Sequence, residues 1–145
     1  MGTRSLTFVY DGDLKESAII NLYRQYDGYP QGHGAELARF LDRGRLINGL
    51  TGKDANLFNG MGCLAAQMVA HFKQEPGGFY IHPVTDLDCG QDYEYHVYSV
   101  AGQLRVQVRD RGCNLFGMTM SDRNLSLFDG TVAELVEFCG EPITA

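Results

Sequence analysis

Apolar positions alternate with polar ones in two long stretches of the chain and recur at helical spacing in three others. Leu6 to Tyr10 and Ala18 to Tyr26 are apolar runs separated by Asp11-Gly12-Asp13, the pattern of a β-hairpin with a loose loop. From Gly34 to Leu46 the period becomes helical: Leu37, Phe40 and Leu41 share one face, and Glu36, Arg39 and Arg43 share another. Met61 to Lys73 is apolar almost all round, with Met61, Leu64, Ala65, Met68 and Phe72 on one stripe, and Asn59 stands where an N-cap belongs. Such a helix is buried in a core or against a second subunit, so a homo-oligomer is expected. Pro76-Gly77-Gly78 breaks the chain before a strand from Phe79 to Val84.

The second alternating stretch fixes its own pairing. Tyr93 to Val100 and Leu104 to Arg109, joined through Ala101-Gly102, set Glu94 opposite Arg109, His96 opposite Gln107 and Tyr98 opposite Arg105. The same register sets Val97 opposite Val106 and Tyr95 opposite Val108 on the other face. A slip of one residue would invert both faces, so the register is specified. Leu115 to Met120 reads as a further strand and Leu125 to Phe128 as a short one. A last helix opens on the capping box Thr131-Val-Ala-Glu134 and carries Val132, Leu135, Val136 and Cys139 as its apolar stripe. The order β-β-α-α-β-β-β-β-α, with hairpins dominating, predicts an α+β fold. Its sheet should be mainly antiparallel, with about three helices packed on one face. Length sets one domain spanning 1–145.

Composition narrows the partners. The net charge is −6, which opposes a duplex-DNA binder, since such a protein needs a basic face. No stretch reaches the roughly 18 apolar residues that cross a bilayer, and the opening segment lacks the apolar core of a signal peptide. A cytoplasmic protein with no membrane partner is expected. Cys63, Cys89, Cys113 and Cys139 show no zinc-ligand spacing and read as reduced thiols. His82 and His96 with Asp86, Asp88 or Asp92 come nearest to a metal set, and hydrogen-bonded or solvated side chains are the favoured reading. No motif calls for a cofactor.

The richest chemistry lies in Arg24-Gln-Tyr-Asp-Gly-Tyr-Pro-Gln-Gly-His-Gly34, a strand-to-helix loop. Arg24, Tyr26, Asp27, Tyr29 and His33 could line a recess; the alternative is that the tyrosines pack on the sheet edge and Arg24 pairs with Asp27. A second group, His96, Tyr98, Arg105 and Arg109, shares the polar face of the long hairpin, where ordinary cross-strand pairing is the competing reading. Asn59, before a helix N-terminus, could add a polar contact. If these segments converge, Arg24 would hold a phosphate, Tyr29 and Tyr98 would stack, and Asp27, Asn59 and His33 would fix polar edges.

The segments Arg4-Ser-Leu-Thr-Phe-Val-Tyr-Asp11, Arg24 to Gly34, Phe58-Asn-Gly-Met-Gly-Cys-Leu-Ala-Ala-Gln67 and Asp92-Tyr-Glu-Tyr-His-Val-Tyr98 resemble a group of small phage and prophage proteins. The resemblance covers most of the chain to about residue 100 and implies a mobile-element setting, with no activity to carry over. The leading expectation is therefore a non-enzymatic phage-type protein that holds a small anionic ligand. In an anti-defence role it would sequester a nucleotide immune signal in the host cytoplasm. One alternative is a small hydrolase or nucleotidase using His33 or His96 with Asp27 or Cys63. Another is a protein that binds and inhibits a host enzyme.

Overall fold

The computed structural model describes residues 2–49, 56–112 and 124–140. Eight strands and three α-helices are present in that part of the chain: β1 (Ser5–Tyr10), β2 (Ala18–Arg24), α1 (Ala35–Asp42), β3 (Arg45–Ile47), β4 (Leu57–Asn59), α2 (Gly60–Phe72), β5 (Phe79–His82), β6 (Tyr93–Val100), β7 (Gln103–Asp110), β8 (Leu125–Thr131) and α3 (Val132–Cys139). A single π-helical turn, Pro30–Gly34, leads into α1. The expected strand at Leu115 to Met120 lies outside the described residues.

Six strands form one sheet in the order β5-β2-β1-β6-β7-β8, and β3 pairs with β4 in a separate two-stranded unit. Every pair in the large sheet is antiparallel except β1 with β6. The fold is α+β, as the hairpin pattern predicts. The register of β6 and β7 is the one read from the sequence, with Glu94 opposite Arg109 and Tyr98 opposite Arg105. Its two-residue turn places Ala101 at φ 51° and Gly102 at φ 78°, the left-handed pair that matches strand twist in a tight hairpin.

The sheet has two unlike faces. On one, Val9, Leu22, Tyr95, Val97, Val106 and Val108 meet Leu37 and Leu41 of α1, Leu64 and Met68 of α2, and Leu135 of α3 in a single core. The capping box of α3 forms both of its bonds: Thr131 N–H donates to Glu134 Oε1 at 2.8 Å, and Glu134 N–H donates to Thr131 Oγ1 at 3.3 Å. Gly28 is needed where β1 begins, because a Cβ there would fall 2.8 Å from Ser5 Cβ and from the Arg4 backbone. The carbonyl of Gly28 accepts the buried Tyr95 hydroxyl at 2.7 Å.

Among the described residues the other face carries no helix, but it is not bare. The chain leaves β5 at one edge and must reach β6, with two strands between them, so residues 83–92 cross this face over β2 and β1. Asn21 of β2 ties the crossing down, donating through Nδ2 to the carbonyls of Pro83 at 3.1 Å and Asp86 at 3.0 Å. At the far end the Asp92 N–H donates to the Arg4 carbonyl at 2.9 Å. Beneath the crossing Leu6, Phe8 and Tyr23 make a small second core with Cys89 against it.

Candidate functional site

The expected convergence of Arg24 with Tyr98 does not occur. Arg24 faces Ser5 and Phe79 in the strand register, on the side of the helices. Tyr98, Arg105 and Arg109 belong to the opposite face. Strand pleating enforces the separation, since residues of odd and even register project to opposite sides.

On the helix side, Arg24 forms an ion pair with Glu36, not with Asp27. Its NH1 also donates to His33 Nδ1 at 3.2 Å, and its guanidinium lies over the Phe79 ring, 5.0 Å from the centroid. Because Nδ1 accepts from Arg24, neutral His33 carries its proton on Nε2 and donates it to Thr7 Oγ1 at 2.7 Å. His33 is fully buried. Burial, helped by the Arg24 charge, holds its pKa well below the ordinary 6.5. Both nitrogens are used and no water reaches the ring, so His33 is a core residue. Tyr26 is exposed, and Asp27 sits at φ 62° with its Oδ1 3.5 Å from the Tyr29 hydroxyl. Asn59 occupies the N-cap position of α2 as expected, but its side chain makes no capping bond; its Oδ1 accepts from the Gly49 N–H at 3.1 Å. Cys63 donates its thiol to Gln67 Oε1 at 3.0 Å.

The hairpin arginines are likewise engaged. Tyr98 donates to Asp129, and Arg105 Nε donates to the Tyr98 oxygen at 3.2 Å. Burial and then the Asp129 contact raise the Tyr98 pKa. Arg109 Nε donates to Asn124 Oδ1 at 2.5 Å.

Of the expected residues, His96 lines a recess that also gathers polar groups from other segments. This recess, about 320 Å³, is bounded by Phe8 and Tyr10 of β1, Ala18 of β2, Val84 and Leu87 of the crossing, and Glu94, His96 and Arg111. Glu94 is 5% exposed. Its Oε1 accepts from His96 Nε2 at 3.1 Å, and its Oε2 accepts from Gln91 Nε2 at 2.8 Å and lies 3.4 Å from Arg111 NH1. With the Nε2 proton committed to the carboxylate, neutral His96 presents a bare Nδ1, which accepts the Tyr10 hydroxyl at 2.6 Å. Phe8 stacks on the imidazole with centroids 5.2 Å apart and planes 8° from parallel. The result is a fixed chain, Glu94–His96–Tyr10, of the carboxylate–imidazole–hydroxyl type. Burial acts to raise the Glu94 pKa, but the hydrogen bonds from His96 and Gln91, with the charge of Arg111 and that of His96 whenever it is protonated, outweigh it and hold the pKa below 4.5. Burial, and then the Glu94 charge, push Tyr10 up to about 12. Tyr10 is therefore a hydroxyl donor at neutral pH and no phenolate nucleophile.

A slightly larger recess, about 370 Å³, is lined by Phe40, Arg43, Phe58 and His71 among others. There Arg43 NH2 faces His71 Nδ1 at 3.3 Å, and burial followed by the Arg43 charge lowers the imidazole's pKa. It lacks a carboxylate-oriented group, so the open-face recess carries the richer chemistry.

Sequence reasoning placed Glu94 and His96 on one face and set Glu94 opposite Arg109, as the register does, but the two side chains bond elsewhere, Glu94 to His96, Gln91 and Arg111 and Arg109 to Asn124. It missed Tyr10, Arg111 and Gln91. The alternation along β6 gave the side of Glu94 and His96, but nothing in it announced the crossing or the partners it brings. Comparison with protein-family models, curated proteins and solved structures finds no match to this chain. No helix among the described residues is long and apolar enough to cross a membrane.

Proposed function

We propose that the protein binds a small molecule in the recess between the crossing and the sheet. The observation that carries this reading is the Glu94–His96–Tyr10 chain, with Arg111 beside it, set among the apolar Phe8, Ala18, Val84 and Leu87. Recesses of a few hundred Å³ with apolar walls and a few convergent polar groups are what small ligands need. The aromatic and aliphatic side chains would take the ligand's flat or apolar part. Arg111 beside Glu94, together with the Tyr10–His96 pair, would fix one anionic or hydrogen-bonding group.

This moves the anion-binding role away from Arg24, Arg105 and Arg109, which are already held by Glu36, Tyr98 with Asp129, and Asn124. Nucleotides still head the set of ligands to try. The resemblance to phage proteins suggests a host-cytoplasm setting in which sequestering a nucleotide signal would be useful, and that suggestion is an analogy. Isothermal titration with linear and cyclic nucleotides and with small aromatic carboxylates tests the reading. We expect one ligand class to bind, with Tyr10→Phe and Glu94→Gln each weakening it about tenfold or more, the value of one buried charge-assisted hydrogen bond. The absence of heat throughout, with the His96 and Tyr10 resonances unmoved at millimolar ligand, would sink it.

A catalytic reading rests on one observation, the orientation of His96 by Glu94, which is how a general base is held. Chromatography of the bound ligand after incubation separates the two: intact ligand supports binding, and a product supports catalysis. The reading also includes self-association. α2 turns Met61, Leu64, Ala65 and Met68 inward and leaves Gly62, Ala66 and Ala70 exposed, a row of small residues suited to close helix approach. A monomer mass in light scattering would remove that part alone.

A further inference from the structure

The crossing that walls the recess has no helix or strand of its own to hold it. Three side chains with metal-binding chemistry meet where it leaves β5. His82 ends that strand, and Asp86 and Cys89 follow at intervals of four and three residues. His82 Nδ1 lies 3.4 Å from Asp86 Oδ2 and 3.4 Å from Cys89 Sγ. The three potential ligand atoms all lie within 4.8 Å of one another. A tetrahedral zinc ion, with bonds of about 2.0–2.3 Å, holds its ligand atoms roughly 3.3–3.6 Å apart. The spacing found here therefore asks for little movement on binding. All three residues are half-buried, which leaves an approach for an ion while limiting its loss to water.

The surroundings fix these ligands in place. The His82 ring packs on Tyr23 with centroids 5.0 Å apart. Cys89 is positioned through its N–H, which donates to Gln91 Oε1 at 2.8 Å, and the fully buried Gln91 donates in turn to the Leu87 carbonyl at 2.9 Å. Asn21, the register partner of His82, grips the Asp86 carbonyl through Nδ2, yet its own fully buried Oδ1 has no hydrogen-bond partner among the described residues. Asp86 and Asp88 set negative charge beside Cys89, which favours a cation seated between them.

We propose that His82, Asp86 and Cys89 form a three-ligand site for a divalent transition-metal ion of the zinc class. The ion staples the crossing to the end of β5. One nitrogen, one sulfur and one carboxylate oxygen suit Zn²⁺ or Co²⁺, whereas Mg²⁺ and Ca²⁺ take oxygen ligands. On binding, the Cys89 thiol releases its proton to solvent, and lone pairs on Nδ1, the carboxylate oxygen and the thiolate make the three bonds. A fourth position stays open to water. The three ligands share no residue with the Glu94–His96–Tyr10 chain, although Gln91 hydrogen-bonds to both Cys89 and Glu94. Cobalt spectra read the metal site and ligand titration reads the recess, so a failure of one is distinguishable from a failure of the other.

Metal-free protein, kept reduced with a phosphine, is titrated with Co²⁺. We expect one equivalent to produce a thiolate-to-cobalt charge-transfer band together with visible ligand-field bands, and Zn²⁺ to bleach both. Cys89→Ser should abolish the charge-transfer band. His82→Ala should weaken binding by more than the roughly 10- to 100-fold that loss of an outer-shell partner costs. Cys63→Ser should change neither. Should Cys89→Ser fail to fold by circular dichroism, Zn²⁺-dependent thermal stabilisation present in the native chain and absent in His82→Ala and Asp86→Asn reads the same site. The proposal is overturned by absence of the charge-transfer band, by its survival in Cys89→Ser, or by its loss in Cys63→Ser.

Discussion

Two histidines sit on opposite faces of the same sheet, both in contact with β1, and they have been given different work. His33 packs under the helices against Thr7, with an arginine on its second nitrogen. His96 packs under the crossing against Tyr10, with a carboxylate on its second nitrogen. Total burial beside a cation leaves His33 neutral and inert. Partial burial beside an anion leaves His96 oriented and at the lip of a recess. Polar groups in a folded core are tolerated when every donor and acceptor is matched. A site needs the same matching with one side left open.

The largest expected effect probes the closed side. His33→Ala removes packing from the core and leaves the Thr7 hydroxyl without its ring partner, so we expect a loss of about 3 kcal/mol in urea unfolding. His96→Ala, cut from the open side, should cost about half as much or less, because the change can be filled by water. Equal losses would erase the distinction between the faces. Next in size, Glu94→Gln removes the charge shared by His96 and Arg111 and should cost about 2 kcal/mol, read by the same method.

Acid sharpens the contrast, because each face has its own pH window. The pKa of His33 is depressed by folding, so its proton prefers the unfolded chain. Its contribution is complete above 6.5 and falls as the pH drops below that value, by at most about 1.4 kcal/mol per pH unit for one proton. The depressed Glu94 contribution is complete above 4.5 and is lost only as the pH falls further, through its lower folded value. Stability measured from pH 7 to 3 should therefore decline in two stages. The first stage should shrink in His33→Ala and persist in Glu94→Gln. A first stage unchanged by His33→Ala would assign it elsewhere, with His71, also depressed, as the next group to replace. The smallest effect belongs to the hairpin that carries His96. Ala101 occupies the left-handed region at φ 51°, so Ala101→Gly should stabilise by about 0.5 kcal/mol. A destabilised Ala101→Gly protein would mean that the turn is not the source of strain.

Local pattern made much of this molecule readable. The β6–β7 register followed from two alternating faces that agree on one alignment, and the α3 capping box followed from two residues at the right spacing. The loop from Arg24 to Gly34 was rich in the right side chains, yet it supplies a core histidine and an ion pair, because Arg24 and His33 point under the helices. Glu94 stands opposite Arg109, as the alternation required, yet its carboxylate bonds to the groups that share its burial, here His96, Gln91 and Arg111. The short strands β3 and β4 escaped notice because three residues carry too little periodicity to stand out.

The amino-acid sequence by itself determined the α+β class, the hairpins, the helices and which residues share a side of each strand, since these follow from spacings of two and 3.6 residues along the chain. Tertiary structure alone decided that β1 lies beside β6 and in parallel with it, and that residues 83–92 must cross the open face to make that possible. Tyr10 and His96 are 86 residues apart. No local period records such a meeting, because strand order is settled by how the whole sheet closes its core and not by any one segment.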